Sequence, residues 1–245
     1  MKETLDTLSI GNLQLLQAKD GYRYSLDPVL LARFVNIENR VRIVDLGTGS
    51  GILPLIFASL GGAKEIVGIE IQNALAERAE RNVQINGFQG RVRILQQDIR
   101  DIRDTIPEKC AELVVSNPPY RHPESGRIAQ NGERAAARHE LSGGLADFIA
   151  AASWLLKSGG DFAVIYLAER LPELMAKMIS LKIEPKRLRM IHSRRGEAAK
   201  MVLLEGRKAG RPGLLVEKPL YIYQDGAAGR GYAEEVLQMY EEPPD

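Results

Sequence analysis

Short apolar runs alternate with helical periodicities along most of this chain. Val41-Arg42-Ile43-Val44-Asp45 predicts a strand, Gly47-Thr48-Gly49-Ser50-Gly51 a loop, and Ile52 to Leu60 a helix that tolerates Pro54 in its first turn and ends at Gly61-Gly62. The alternation repeats. Glu65 to Glu70 predicts a strand, and Asn73 to Asn86 a helix with Leu75, Ala79 and Val83 on one face and Gly87 past its end. Val92 to Leu95 and Leu113 to Ser116 predict the third and fourth strands, then Phe148 to Leu156 a helix and Asp161 to Tyr166 the fifth strand. After a helix from Pro172 to Leu181, Lys186 to His192 and Met201 to Leu204 predict two more strands. Leu214-Leu215-Val216 and Leu220-Tyr221-Ile222-Tyr223 predict an added edge hairpin.

Strands alternating with helices argue for an α/β chain, doubly wound around a mostly parallel sheet covered on both faces. The prediction is seven strands with an antiparallel C-terminal edge. Residues 1–40 read as a short cap before the sheet. Gly11-Asn12 sits between two apolar segments and predicts a hairpin turn with positive φ. Asp27-Pro28 predicts a helix start, with Asp27 as N-cap and Pro28 at the first helical position. The expected organisation is one domain over 1–245. Residues 1–40 form the cap, 41–167 the core, 168–240 the C-terminal helix and antiparallel strands, and 241–245 a frayed tail.

Composition narrows the class. The chain has 245 residues, 44% hydrophobic and 27% charged, which is ordinary for a soluble globular protein. No apolar run approaches the ~20 residues that cross a bilayer. Met1 to Asp6 carries acids and no apolar core of a secretory signal. The single Cys110 precludes an internal disulfide, and with three histidines no clustered zinc site is expected. These features fit a reducing cytoplasm. A net charge of +1 is uninformative as a total and must be read locally.

The run Glu112-Leu113-Val114-Val115-Ser116 ends in Asn117-Pro118-Pro119-Tyr120. In an open α/β sheet, ligands bind outside the carboxyl ends of the strands. Two prolines remove two N–H donors, so that backbone offers carbonyls only. The Asn117 amide oxygen is a further acceptor, and Tyr120 adds a flat face with a polar tip. The site suits a planar group carrying an NH2. Three carboxylates mark the ends of three consecutive strands: Asp45, Glu70 and Asp98. Together they repel a pyrophosphate and tolerate a positively charged ligand such as S-adenosyl-L-methionine. The spacing Gly47-x-Gly49-x-Gly51 also differs from the dinucleotide fingerprint, whose last gap is longer.

Val44-Asp45-Leu46-Gly47-Thr48-Gly49-Ser50-Gly51 resembles the first motif of class I S-adenosylmethionine-dependent methyltransferases. Glu70, Asp98 and Asn117-Pro118-Pro119-Tyr120 match the following motifs in order. The resemblance covers about residues 41–167 and implies a Rossmann-like fold. It implies that Asp45, Gly47, Gly49 and Gly51 hold the methionine part, Glu70 the ribose, and Asp98 the adenine amino group of the donor. Asn117 and Pro118 would accept the two hydrogens of the acceptor NH2, and Tyr120 would stack on its plane. The donor is already activated, so no metal is required.

The motif identifies an amino nitrogen and not its owner: adenine, guanine, cytosine and a glutamine side chain stay open. Residues 121–140 form a polar insertion with Arg121 and Arg138, balanced between a solvated lid and a phosphate contact. Residues 182–218 hold eleven basic residues, among them Arg194, Arg195 and Lys208, against four glutamates. Such a region is the footprint of phosphate binding and favours RNA. Gly21-Tyr22-Arg23-Tyr24-Ser25-Leu26-Asp27-Pro28, Ala137-Arg138-His139-Glu140 and Val202 to Lys208 resemble bacterial adenine-specific methyltransferases of valine tRNA. That resemblance implies an adenine N6 next to the anticodon, a tRNA partner, and closure of Tyr22 to Asp27 over the donor. Two alternatives stand beside it. Release-factor glutamine methyltransferases share the Asn-Pro-Pro-Tyr motif but usually carry a helical N-terminal domain, for which 1–40 is too short. A non-catalytic RNA-binding protein on this fold is disfavoured by the intact Asp45, Glu70, Asp98 and Asn117. Oligomeric state is left open.

Overall fold

The computed structural model describes residues 3–18, 25–38, 40–120, 143–224 and 231–241. Strands β1 (Glu3–Leu8) and β2 (Leu13–Ala18) form the N-terminal hairpin, followed by helix α1 (Asp27–Phe34). The alternating core comprises β3 (Arg40–Leu46), α2 (Ile52–Leu60), β4 (Ala63–Glu70), α3 (Asn73–Ile85), β5 (Val92–Gln96) and β6 (Ala111–Ser116). It continues through α4 (Leu145–Leu155), β7 (Leu156–Leu167), α5 (Leu171–Ser180), β8 (Ile183–His192) and β9 (Ala199–Lys208). Two-residue strands β10 (Leu215–Val216) and β11 (Leu220–Tyr221) and helix α6 (Glu234–Gln238) close the chain.

The main sheet has the order β10-β8-β9-β7-β6-β3-β4-β5 with β11 also on β8. Seven long strands carry it, as expected. β9 is the antiparallel strand, inserted between β7 and β8, so β8 runs parallel to the core strands. The expected edge hairpin does not form: β10 and β11 each pair in parallel with β8 and not with each other. The three residues between them include Pro219, and the chain continues in one direction along β8 instead of reversing. Helix α4 also begins three residues before the expected Phe148. Among the described residues, no helix is long and apolar enough to cross a membrane.

Period-two alternation feeds two apolar layers, one per sheet face. Ile43, Leu113, Val115, Ala163 and Ile165 join the layer under α1, α2 and α3. Val44, Val114, Phe162, Val164 and Tyr166 join the layer under α4 and α5. The hairpin docks on the first layer through buried Leu8, Ile10, Leu13 and Leu15. Its turn adopts the predicted positive φ at Gly11 and Asn12, 58° and 51°. Two asparagines four residues apart, Asn82 on α3 and Asn86 at its C-cap, receive β2: Asn82 Oδ1 accepts from Leu16 N–H at 2.7 Å and Asn86 Oδ1 from Gln14 N–H at 2.9 Å. These bonds satisfy backbone donors on an edge where no further strand pairs among the described residues.

Asp27 departs from its expected cap role. It is the first residue of α1, Leu26 occupies the N-cap, and no side-chain cap bond forms. Its carboxylate is directed instead to the site described next.

Candidate active site

The sheet changes direction between β3 and β6. From β3 the chain order runs outward through β4 and β5 on one side, and through β6 and β7 on the other. A crevice forms at such a switch point, outside the carboxyl ends of the strands. Leu46 and Ser116 are register partners, and Ser116 Oγ donates to Leu46 O at 2.8 Å. Gly47 and Asn117 therefore leave the sheet side by side.

The loop after β3 turns on itself. Gly47, Gly49 and Gly51 have φ of 73°, 59° and 84°, a region that side chains enter with strain. A Cβ at Gly47 would lie 3.0 Å from the Phe148 ring, and one at Gly51 3.1 Å from Ala79 Cβ, while at Gly49 it would meet nothing within 4 Å. The middle glycine thus faces open space and the outer two face packed helices. The N–H groups of Gly47 and Thr48 both donate to Ile69 O at 2.9 Å, tying the loop to β4.

Asp45 is 1% exposed and neither carboxylate oxygen has a hydrogen-bond partner. Burial pushes its pKa from 3.8 up to about 7; the Thr48 hydroxyl opposes that shift without reaching hydrogen-bond geometry, and the Glu70 charge adds to it. Thr48 Oγ1 is likewise buried and unpartnered. Glu70 is 5% exposed and also held above the usual carboxylate range by burial. Its oxygens accept from Gly49 N–H and Gln72 N–H, each at 2.9 Å. Each oxygen keeps a second lone-pair direction. Asp98 differs: it caps the 3₁₀ turn Ile99–Asp104 through Arg100 N–H at 2.9 Å and grips the Arg100 guanidinium, which lowers its pKa.

Across the crevice, Asn117 and Tyr120 are half-buried, Pro118 is buried and Pro119 exposed. The Tyr120 hydroxyl meets the Asn117 amide oxygen and, at 3.0 Å, Asp27 Oδ2. Its ring stands edge-on to Tyr166, with centroids 5.8 Å apart. Tyr166 is buried at the end of β7 and its hydroxyl accepts from Arg170, which pairs with Glu173. Neither Tyr166 nor Ser116 was expected in the site. The visible signal was a tyrosine closing the otherwise apolar run 162–166 at its carboxyl end.

Arg194 and Arg195 occupy the turn after β8, on the same sheet edge as the crevice, because β8 is parallel to β6. Arg194 lies 5.5 Å from the Tyr223 ring centroid and Arg195 5.2 Å from that of Tyr221. Lys208 ends the antiparallel β9 and so lies at the opposite edge. Its ammonium donates to Leu181 O at 3.1 Å and to Ser153 Oγ, beside a separate groove of about 240 Å³. Much of the surrounding basic charge is already paired: Arg187 with Glu217 at 2.8 Å, Arg189 with Glu235 at 2.5 Å, and Arg207 with Asp161 at 2.8 Å. Tyr22, Arg121, Arg138, the insertion 121–140 and the tail beyond Glu241 lie outside the described residues.

A doubly wound sheet with a glycine loop and two buried carboxylates at its switch point is the architecture of a methyltransferase. A methyltransferase-domain family model matches residues 37–204, and the chain belongs to that family. A predicted O-methyltransferase from Agrobacterium tumefaciens has the same fold, with a TM-score of 0.70 and 24% identity over 87% of this chain and 95% of that one. Geranyl diphosphate C-methyltransferase from Streptomyces coelicolor, solved with S-adenosyl-L-homocysteine, matches with a TM-score of 0.53 and 14% identity over 72% and 79%. The chain is 30% identical to the tRNA1(Val) (adenine(37)-N6)-methyltransferase of Porphyromonas gingivalis over 83% of its own length and 82% of that protein's. It belongs to the tRNA1(Val) (adenine(37)-N6)-methyltransferase family.

Proposed function

We propose that this enzyme methylates N6 of an adenine next to the anticodon of valine tRNA, using S-adenosyl-L-methionine in the cytoplasm. The observation that carries this reading is the placement of Asp45 and Asn117 at the ends of neighbouring strands β3 and β6. An unpartnered buried carboxylate is costly unless a ligand satisfies it. An amino acid ammonium does so, and the open face at Gly49 leaves room beside it. The residues therefore fit the donor. Asp45 and the loop glycines would hold its methionine part, Glu70 its ribose hydroxyls through the free lone pairs, and Asp98 its adenine amino group while sharing Arg100. When bound, the donor supplies a methyl group on a positively charged sulfur.

The chain's own contribution is orientation and electrostatics. An exocyclic NH2 has its lone pair delocalised into the ring. The Asn117 oxygen and the Pro118 carbonyl accept its two hydrogens, turn the lone pair out of the plane and stabilise the developing positive charge. Tyr120 stacks on the base, worth ~1–3 kcal/mol. Arg194 and Arg195 contact RNA phosphates. At ~4.8 Å per strand, β8 stands ~14 Å from β6, a span within one nucleic-acid loop.

The test is to incubate the protein and labelled S-adenosyl-L-methionine with unmodified valine tRNA, and separately with a release factor. Nuclease digestion should yield labelled N6-methyladenosine from the tRNA. Label found only in the release factor overturns the acceptor class and points to a glutamine.

A further inference from the structure

Two side chains, Asp27 from a distant stretch of chain and Asn117 from the same turn, converge on the Tyr120 hydroxyl. Tyr120 Oη lies 3.0 Å from Asp27 Oδ2 and within hydrogen-bonding distance of the Asn117 side-chain amide. With Asn117 Oδ1 turned toward it, the hydroxyl faces two acceptors, and its single proton serves one of them. That orientation also spends the Asn117 oxygen on Tyr120. A half-turn of the Asn117 amide removes the conflict, because its oxygen and nitrogen exchange places. Nδ2 then donates to Tyr120 Oη, Tyr120 donates to Asp27, and Oδ1 faces away from Tyr120. A carboxylate only accepts, so it sets the direction of the whole chain of hydrogen bonds.

We propose that Asp27 is a positioning residue, acting through the Tyr120 hydroxyl to hold the Asn117 amide with its oxygen toward the acceptor amino group. The proposal rests on the role given to Asn117 above. The opposite orientation would present amide hydrogens to the hydrogens of the substrate. The supporting frame is packed: the Tyr166 ring stands edge-on against the Tyr120 ring, and Asp27 is carried at the start of α1, where buried Pro28 follows it. Because Asp27 makes no side-chain cap bond to its helix, its carboxylate is committed to Tyr120. The N-terminal cap of the fold thereby sets the orientation of a group in the catalytic turn.

Tyr120→Phe keeps the stacking ring and removes the relay; Asp27→Asn keeps the shape and removes the fixed direction. Each is expected to lower kcat on unmodified valine tRNA about tenfold, what one hydrogen bond contributes, with calorimetric affinity for S-adenosyl-L-methionine unchanged within twofold. The double variant should be no worse than Tyr120→Phe alone. Additive losses, or weakened donor affinity in Asp27→Asn, overturn the proposal and put Asp27 in the donor site. A second readout is independent of substrate. In ¹⁵N-labelled protein, the Asn117 side-chain NH2 signals, assigned by their loss in Asn117→Asp, should exchange at least tenfold faster in both single variants than in the wild type. Unchanged exchange overturns the relay. A wild-type protein that leaves valine tRNA unmethylated overturns the proposed function alone, and the relay is then judged by exchange.

Discussion

Replacing Asp45 with Asn should stabilise the folded protein more at pH 8 than at pH 5. The carboxyl group is 1% exposed, its oxygens are unpartnered, and burial raises its pKa from 3.8 to about 7. The unfolded chain releases this proton near 3.8, whereas the folded chain keeps it until about 7. Between those values the unfolded state binds fewer protons, so stability falls as pH rises and levels off above pH 7. At 1.36 kcal/mol per pH unit the full loss is about 4 kcal/mol. Integrating the two titrations, the larger part of it, roughly 3 kcal/mol, develops between pH 5 and pH 8. Asn does not titrate and escapes this loss. The buried amide has its own desolvation cost, but that cost is the same at both pH values and cancels in the comparison. Glu70 is present in both proteins and cancels to first order. Urea denaturation of both proteins without added donor, at pH 5 and pH 8, measures the difference. For a chain of this length it corresponds to roughly 5–10 °C in Tm. An equal effect of the substitution at the two pH values would refute a buried, donor-awaiting carboxyl.

Three further outcomes are expected. Asn117→Ala should lower kcat about a hundredfold and leave donor affinity by calorimetry intact; loss of both together would mean a structural role. Arg194→Gln and Arg195→Gln should each weaken tRNA binding uniformly across sequences and reduce the salt slope by about 1, whereas Lys208→Met, at the opposite sheet edge, should leave both unchanged in a filter-binding titration. Gly47→Ala should destabilise by about 1–3 kcal/mol in urea, because φ is 73° and the new methyl would press on the Phe148 ring at 3.0 Å.

Local patterns made much of this fold legible. Apolar alternation in 41–45, 65–70 and 113–116 marks buried strands wherever they lie in space, and glycines with positive φ mark the turns between them. The three acids and the Asn-Pro-Pro-Tyr turn were legible for the same reason: each occupies a fixed offset from the end of a strand. Asp27 was misjudged because Asp-Pro before an apolar stripe is a helix-start signal on its own, and nothing nearby in sequence announces Tyr120, 93 residues away, as its partner. The edge hairpin was misjudged because Leu215 and Leu220 suit a strand in either direction, and only pairing with β8 selects one.

The chain by itself determines that strands and helices alternate, that acids and an amide stand at strand ends, and that an amino group is the fitting acceptor. These follow from periodicity and short-range chemistry. Tertiary structure decides which of those groups share a place. The insertion of antiparallel β9 separates Lys208 from Arg194 and Arg195, although all three belong to one basic stretch. Packing of the N-terminal cap brings Asp27 to Tyr120. Burial beneath the crevice leaves the Asp45 oxygens unpartnered while Arg100 engages Asp98. Charge and hydrogen-bonding capacity are properties of residues; burial and partnership depend on distances between distant parts of the chain.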